Sequence, residues 1–136
     1  MQESSKEIKM NPKVIEQAEK FATEATKVVF ETGYGSKYRA IYKAVARRKF
    51  VVIMETESEV DYGHGKGWES YSRGGVVCFI DSETGDVFKP QGPAPAKTKR
   101  YNIITDAGVN QMIANFKYGG NNGGFMYQDF KDIEVA

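Results

Sequence analysis

Cysteine, histidine and tryptophan each occur once in this chain, and proline four times. A single cysteine excludes an internal disulfide, and Cys78 stands inside an apolar run, which suits a small buried hydrophobe in a reducing compartment. One histidine with that cysteine cannot furnish the ligand set of a zinc site, so no metal or cofactor is expected, although Asp61 and His64 stand close in sequence. His64 with Asp61 and Ser70 or Ser72 has the residue types of a hydrolytic triad but no nucleophile elbow around either serine. No apolar run approaches the roughly 18 residues that a membrane-crossing helix needs. The N-terminal MQESSKEIKMNPK is polar, without the hydrophobic stretch of a signal peptide, so a soluble cytoplasmic protein is expected. Charge of one sign is not in excess either, with 19 basic against 18 acidic residues. That balance argues against a duplex-binding protein driven by counterion release alone.

What is present suits one domain spanning 1–136, with residues 1–10 polar and frayed; a chain of this size buries roughly two-thirds of its unfolded surface without staples. Asn11-Pro12 supplies a helix cap with proline at the first helical position. Val14, Ile15, Ala18, Phe21, Ala22, Ala25, Val28 and Val29 then recur at helical spacing, and Gly33 with Gly35 marks the expected end. Residues 36–47 fit two periods. Tyr38, Ile41, Tyr42, Val45 and Ala46 follow a helix capped by Ser36, whereas Tyr38, Ala40, Tyr42 and Ala44 alternate as in a strand. Phe50, Val51, Val52, Ile53 and Met54 form a strand that continues into Glu55-Thr56-Glu57-Ser58-Glu59, whose acids are expected to project to solvent.

Residues 61–75, DYGHGKGWESYSRGG, carry five glycines and the single tryptophan and histidine, the pattern of a long loop or splayed hairpin. Trp68 and Tyr71 there can stack on a nucleobase while Lys66 and Arg73 meet phosphate; a plain hairpin whose aromatics pack back on the sheet is the alternative. A buried strand, Val76 to Ile80, follows. Asp81-Ser82-Glu83-Thr84-Gly85-Asp86 has turn chemistry, and Val87-Phe88-Lys89 resumes strand character. Pro90, Pro93 and Pro95 then predict extended backbone outside any ladder over residues 90–96, running into Lys97, Lys99 and Arg100. No acid lies between Val87 and Thr105. Thr105 can cap a helix with Val109, Met112, Ile113 and Phe116 on its inner face, residues 118–124 form a Gly/Asn connector, and residues 125–130 alternate like a last strand. The elements together predict an α+β fold: a mostly antiparallel sheet with an N-terminal amphipathic helix and further helices packed on one face.

The run Gly85-Asp86-Val87-Phe88-Lys89, then Ala94-Pro95-Ala96-Lys97, then Arg100 and Asn102, resembles a signature found in many small bacteriophage-encoded proteins of mostly unassigned function. This chain departs from it at Gly92-Pro93, where the family carries an aromatic, and at Lys99 and Tyr101, where it carries small residues. The protein is also similar to the viral sponges that sequester the cyclic dinucleotide signal of the bacterial CBASS defence. The resemblance implies a counter-defence protein in the infected host's cytoplasm, binding a nucleotide such as 3′3′-cGAMP without hydrolysing it.

Three function classes follow. A nucleotide binder would stack bases on Trp68, Tyr71 or Tyr101 and meet phosphates with Arg73, Lys89, Lys97, Lys99 and Arg100, closed by Asn102. A single-stranded nucleic-acid binder would use the same residues across an open groove. A protein that inhibits a host enzyme by covering it would use the acidic strand at residues 55–61. An enzyme is not expected, because one loop histidine is the sole candidate acid–base group that titrates near neutrality.

Overall fold

The computed structural model describes residues 10–36, 38–70 and 75–119. Along these the chain runs α1 (Pro12–Ser36), β1 (Tyr38–Ala46), β2 (Phe50–Val60), β3 (Glu69–Ser70), β4 (Gly75–Asp81), β5 (Asp86–Gln91), β6 (Ala94–Asn102) and α2 (Asp106–Gly119). The six strands form one antiparallel sheet in the order β1-β2-β4-β5-β6, with β3 paired to β2. Both helices cover one face, so the expected α+β class holds. The expected strand at 125–130, most of the Gly/Asn connector, and Tyr71 and Arg73 lie outside the described residues. No helix among the described residues is long and apolar enough to cross a membrane.

Local chemistry explains both helix starts. The Asn11 side chain accepts the Lys13 N–H at 2.9 Å, and Pro12 occupies a position where no donor is needed. Thr105 does the same for α2, accepting the Gly108 N–H at 3.0 Å. α1 runs past Gly33 and Gly35 to Ser36. A glycine costs a helix only about 1 kcal/mol relative to alanine, too little to stop one already nucleated upstream. Across the core the Phe116 ring of α2 meets Phe21 of α1 and Tyr42 of β1 edge-on, with centroids 5.6 and 5.7 Å away.

Residues 38–46 are a strand, not the helix that one of the two periods suggested. β1 pairs with β2 along its whole length, and Thr26 of α1 holds its outer edge by accepting the Tyr42 N–H at 2.8 Å. The acidic run also differs from expectation. Tyr42 faces Glu55 and Ile41 faces Glu57, so Thr56 is an extra residue in β2. This bulge breaks the alternation, and Glu55 and Ser58 are buried while Glu57 stays exposed. An acidic projecting strand therefore does not form.

The proline-rich segment is a correction of the same kind. Pro90 pairs with Pro95 and Gln91 with Ala94, closing a β5–β6 hairpin on Gly92-Pro93. Gly92 has φ +62°, the positive value a tight hairpin turn demands at its first central position. The β4–β5 ladder stops at Phe79↔Phe88, so Pro90 has no β4 partner to supply, and Pro95 lies on an outer strand where a missing donor is tolerated.

Candidate functional site

Two polar clusters form, and they differ in kind. At the corner joining β5, β6 and α2, Asn102 donates to the Thr84 carbonyl at 3.0 Å and to Asp86 Oδ1 at 2.8 Å, and its Oδ1 accepts the Ile104 N–H at 3.0 Å. Lys99 Nζ lies 3.4 Å from Asp86. Burial works to raise the Asp86 pKa, but the Asn102 amide, the Lys99 charge and hydrogen bonds from Lys99 and Thr84 outweigh it and hold the carboxyl below its ordinary value. Gly85, at φ +84°, lets its N–H reach the Asp81 carbonyl and its carbonyl accept the Ile103 N–H. A Cβ there would stand 3.0 Å from the Ile104 nitrogen. Asp81 accepts the Glu83 and Thr84 N–H groups at 2.9 Å each. Most of the signature around Gly85-Asp86 and Asn102 thus serves to lock a corner of the fold.

The second cluster lies at the end of the sheet where β2 leaves for β3. Arg39 of β1 donates to Glu59 of β2 at 2.7 Å. Its guanidinium lies 4.2 Å from the centre of the Trp68 ring and 5.9 Å from that of Phe30 on α1. Each cation–π contact of this kind contributes about 0.5–1 kcal/mol at an exposed site. Between β2 and β3 the chain alternates Tyr62, His64, Lys66 and Trp68 with Gly63, Gly65 and Gly67, whose φ values are +83°, +80° and +77°. Repeated positive φ is a conformation that side-chain-bearing residues rarely adopt, so the glycines carry the backbone while the intervening residues carry the chemistry. Tyr62 stacks on His64 with centroids 6.1 Å apart. Phe30, Tyr62 and Trp68 are 52%, 54% and 36% exposed, the large apolar side chains left to solvent among the described residues.

A cavity of about 80 Å³ opens beside Arg39, lined by Phe30, Ala40, Ile41, Glu57, Ser58 and Glu59. At about 30 Å³ per water it holds two or three waters and is too small for a nucleobase. A planar ligand at this end would stack on an aromatic ring and not enter the wall.

The sequence-predicted residues are therefore divided. Trp68 belongs to the Arg39 cluster. Tyr101 is no stacking surface: it is buried in the core, and its hydroxyl accepts from Asn115 Nδ2 at 3.0 Å. Asn102 is engaged in the corner, with Lys99 beside it, while Lys97 is exposed and Lys89 and Arg100 are half-buried. The β5–β6 hairpin tip and the Trp68 loop share one end of the sheet. β6, however, stands four strand spacings from β1, about 19 Å. Within one chain the described residues do not bring the basic hairpin onto Trp68. Phe30 and Arg39 were missed, because nothing local in sequence links positions 30, 39, 59 and 68; the basic block around Arg39 reads as a charged surface until β1 is paired.

No group of three metal-ligating side chains comes together among the described residues. Burial pushes the Cys78 thiol far above its ordinary pKa, which makes it inert as a nucleophile near neutral pH.

The chain belongs to DUF7717, a family of unknown function. The match spans residues 2–128, so it takes in both clusters. No curated protein and no solved structure matches the chain.

Proposed function

We propose that this protein binds a nucleotide and holds it intact, with the ligand's base on Trp68. The observation that carries the reading is the Arg39 clamp. A tryptophan whose ring rests on a guanidinium, itself fixed to Glu59, has much of its rotamer freedom removed before any ligand arrives, yet keeps 36% of its surface exposed. Such a ring stacks at little ordering cost, and stacking tolerates any base. Lys66, two residues earlier on the same glycine-interrupted loop, supplies a cation within reach of a phosphate. Retention without turnover suits the groups at hand: Cys78 is buried and inert, and the single histidine is a loop residue stacked on Tyr62. The similarity to viral sponges points to a cyclic dinucleotide such as 3′3′-cGAMP, sequestered in the cytoplasm of an infected bacterium.

Calorimetric titration against 3′3′-cGAMP, cyclic di-AMP, cyclic di-GMP, ADP-ribose and a short oligonucleotide tests this. One cyclic dinucleotide should bind saturably and be recovered unchanged after the complex is denatured. Trp68→Ala should weaken that binding by about ten- to a hundredfold, the loss expected for one stacked base. A cleaved product, or wild-type affinity in Trp68→Ala, would overturn the proposal. Salt-sensitive binding of the oligonucleotide alone would replace it with single-strand binding.

A further inference from the structure

The two edges of the sheet are finished differently. β1 is closed by α1: Thr26 accepts the Tyr42 N–H at 2.8 Å, and its hydroxyl lies 3.4 Å from the Tyr42 carbonyl while donating to Ala22 at 3.0 Å. β6 ends the sheet on the other side, and among the described residues β5 is its one strand neighbour. Along its middle, Lys97, Thr98 and Lys99 are all exposed.

We infer that this edge is a docking strand for an extended, acidic peptide segment of a partner protein. A strand edge presents N–H donors and C=O acceptors in alternation, which another main chain complements group for group. A phosphodiester backbone offers acceptors alone, so nucleic acid answers only half of what the edge presents. Lys97 and Lys99, two residues apart, project on one side of the strand. Lys99 reaches Asp86 yet keeps 62% of its side chain exposed. Pairing with a second copy of β6 would set these lysines against their own kind, which is unfavourable across strands. An incoming strand with carboxylates at alternate positions meets them with opposite charge. Pro95 gives the edge a limit, because it has no N–H to offer an incoming strand.

The test is an anisotropy titration of the full-length protein with a labelled, end-blocked peptide alternating glutamate with threonine, beside the same peptide carrying lysine for glutamate. The glutamate peptide should bind and slow hydrogen exchange of the amides at 97–99; the lysine peptide should do neither. Charge reversal in Lys97→Glu/Lys99→Glu should weaken the glutamate peptide by about tenfold and admit the lysine peptide. Lys97→Ala, at an exposed position that leaves the Lys99–Asp86 pair in place, should keep the wild-type thermal midpoint and still weaken the glutamate peptide. Equal binding of both peptides, unchanged exchange at 97–99, or stronger protection of those amides by an oligothymidylate would overturn the inference. Trp68→Ala should leave peptide binding unaltered, which separates this edge from the nucleotide reading.

Discussion

At the corner of β5, β6 and α2 the polar side chains answer one another; at the Trp68 end an ion pair leaves three large apolar side chains in contact with water. In the first region Asn102 makes three hydrogen bonds that join the 81–86 turn, β5 and the approach to α2. In the second, Arg39 and Glu59 satisfy each other and thereby hold Trp68 in a fixed, exposed position. Both regions are rich in polar and glycine residues, so composition does not separate them. The difference is whether the groups consume one another's bonding capacity, and a motif that does so contributes to folding.

Four measurements sharpen that contrast. The largest effect is expected from Asn102→Ala, which deletes three hydrogen bonds and strands their partners; denaturant titration should show a loss of about 2–4 kcal/mol. Gly85→Ala comes next, because a side chain at φ +84° is strained and its Cβ stands 3.0 Å from a backbone nitrogen; a loss of about 2 kcal/mol is expected. Either variant with wild-type stability would show that the corner is not a lock. The third is a pH dependence. Asp86 has its pKa lowered in the folded protein, so its contribution is complete above the unfolded carboxylate pKa of about 4 and disappears as pH falls through the lower folded value. Denaturant midpoints measured downward from pH 5 should therefore fall more steeply for the wild-type protein than for Asp86→Asn; equal slopes would remove Asp86 from the lock. The smallest is Arg39→Ala, expected to lower stability by less than about 1 kcal/mol, as partly exposed ion pairs and cation–π contacts do. Its distinguishing mark is the Trp68 fluorescence, which should shift to longer wavelength with lower anisotropy. An unchanged emission would mean that Arg39 does not hold the ring.

Much of the fold is legible along the chain. α1 follows from the Asn11-Pro12 cap and a helical apolar period, α2 from Thr105 and its buried face, and the 81–86 turn from Asp81, which bonds the two N–H groups that follow it. Residues 38–46 were ambiguous because both periods put apolar side chains on one face; the choice came from pairing with β2 and from Thr26, sixteen positions away. The fate of Glu55 was hidden for a related reason, since a one-residue bulge at Thr56 flips the alternation on which the sequence reading relied. The prolines were read as excluding a ladder, which overlooks that a strand at the edge of its pairing region can spare a donor.

The site was legible in part. The glycine-interleaved loop announced itself, as did Trp68, because repeated positive φ and an exposed aromatic leave a local trace. The partners of Trp68 did not, and two of the residues offered alongside it, Tyr101 and Asn102, turned out to serve the core and the corner.

By itself the sequence determined the two helices, the strands from residue 50 onward and the positions of the turns, because capping groups, positive-φ glycines and apolar periods act within a few residues. Tertiary structure alone decided which way residues 38–46 folded, which acids were buried, and that Phe30, Arg39, Glu59 and Trp68 would meet. Those outcomes depend on pairing between strands and on a helix reaching across a sheet edge, energies that exist only once distant parts of the chain are in contact.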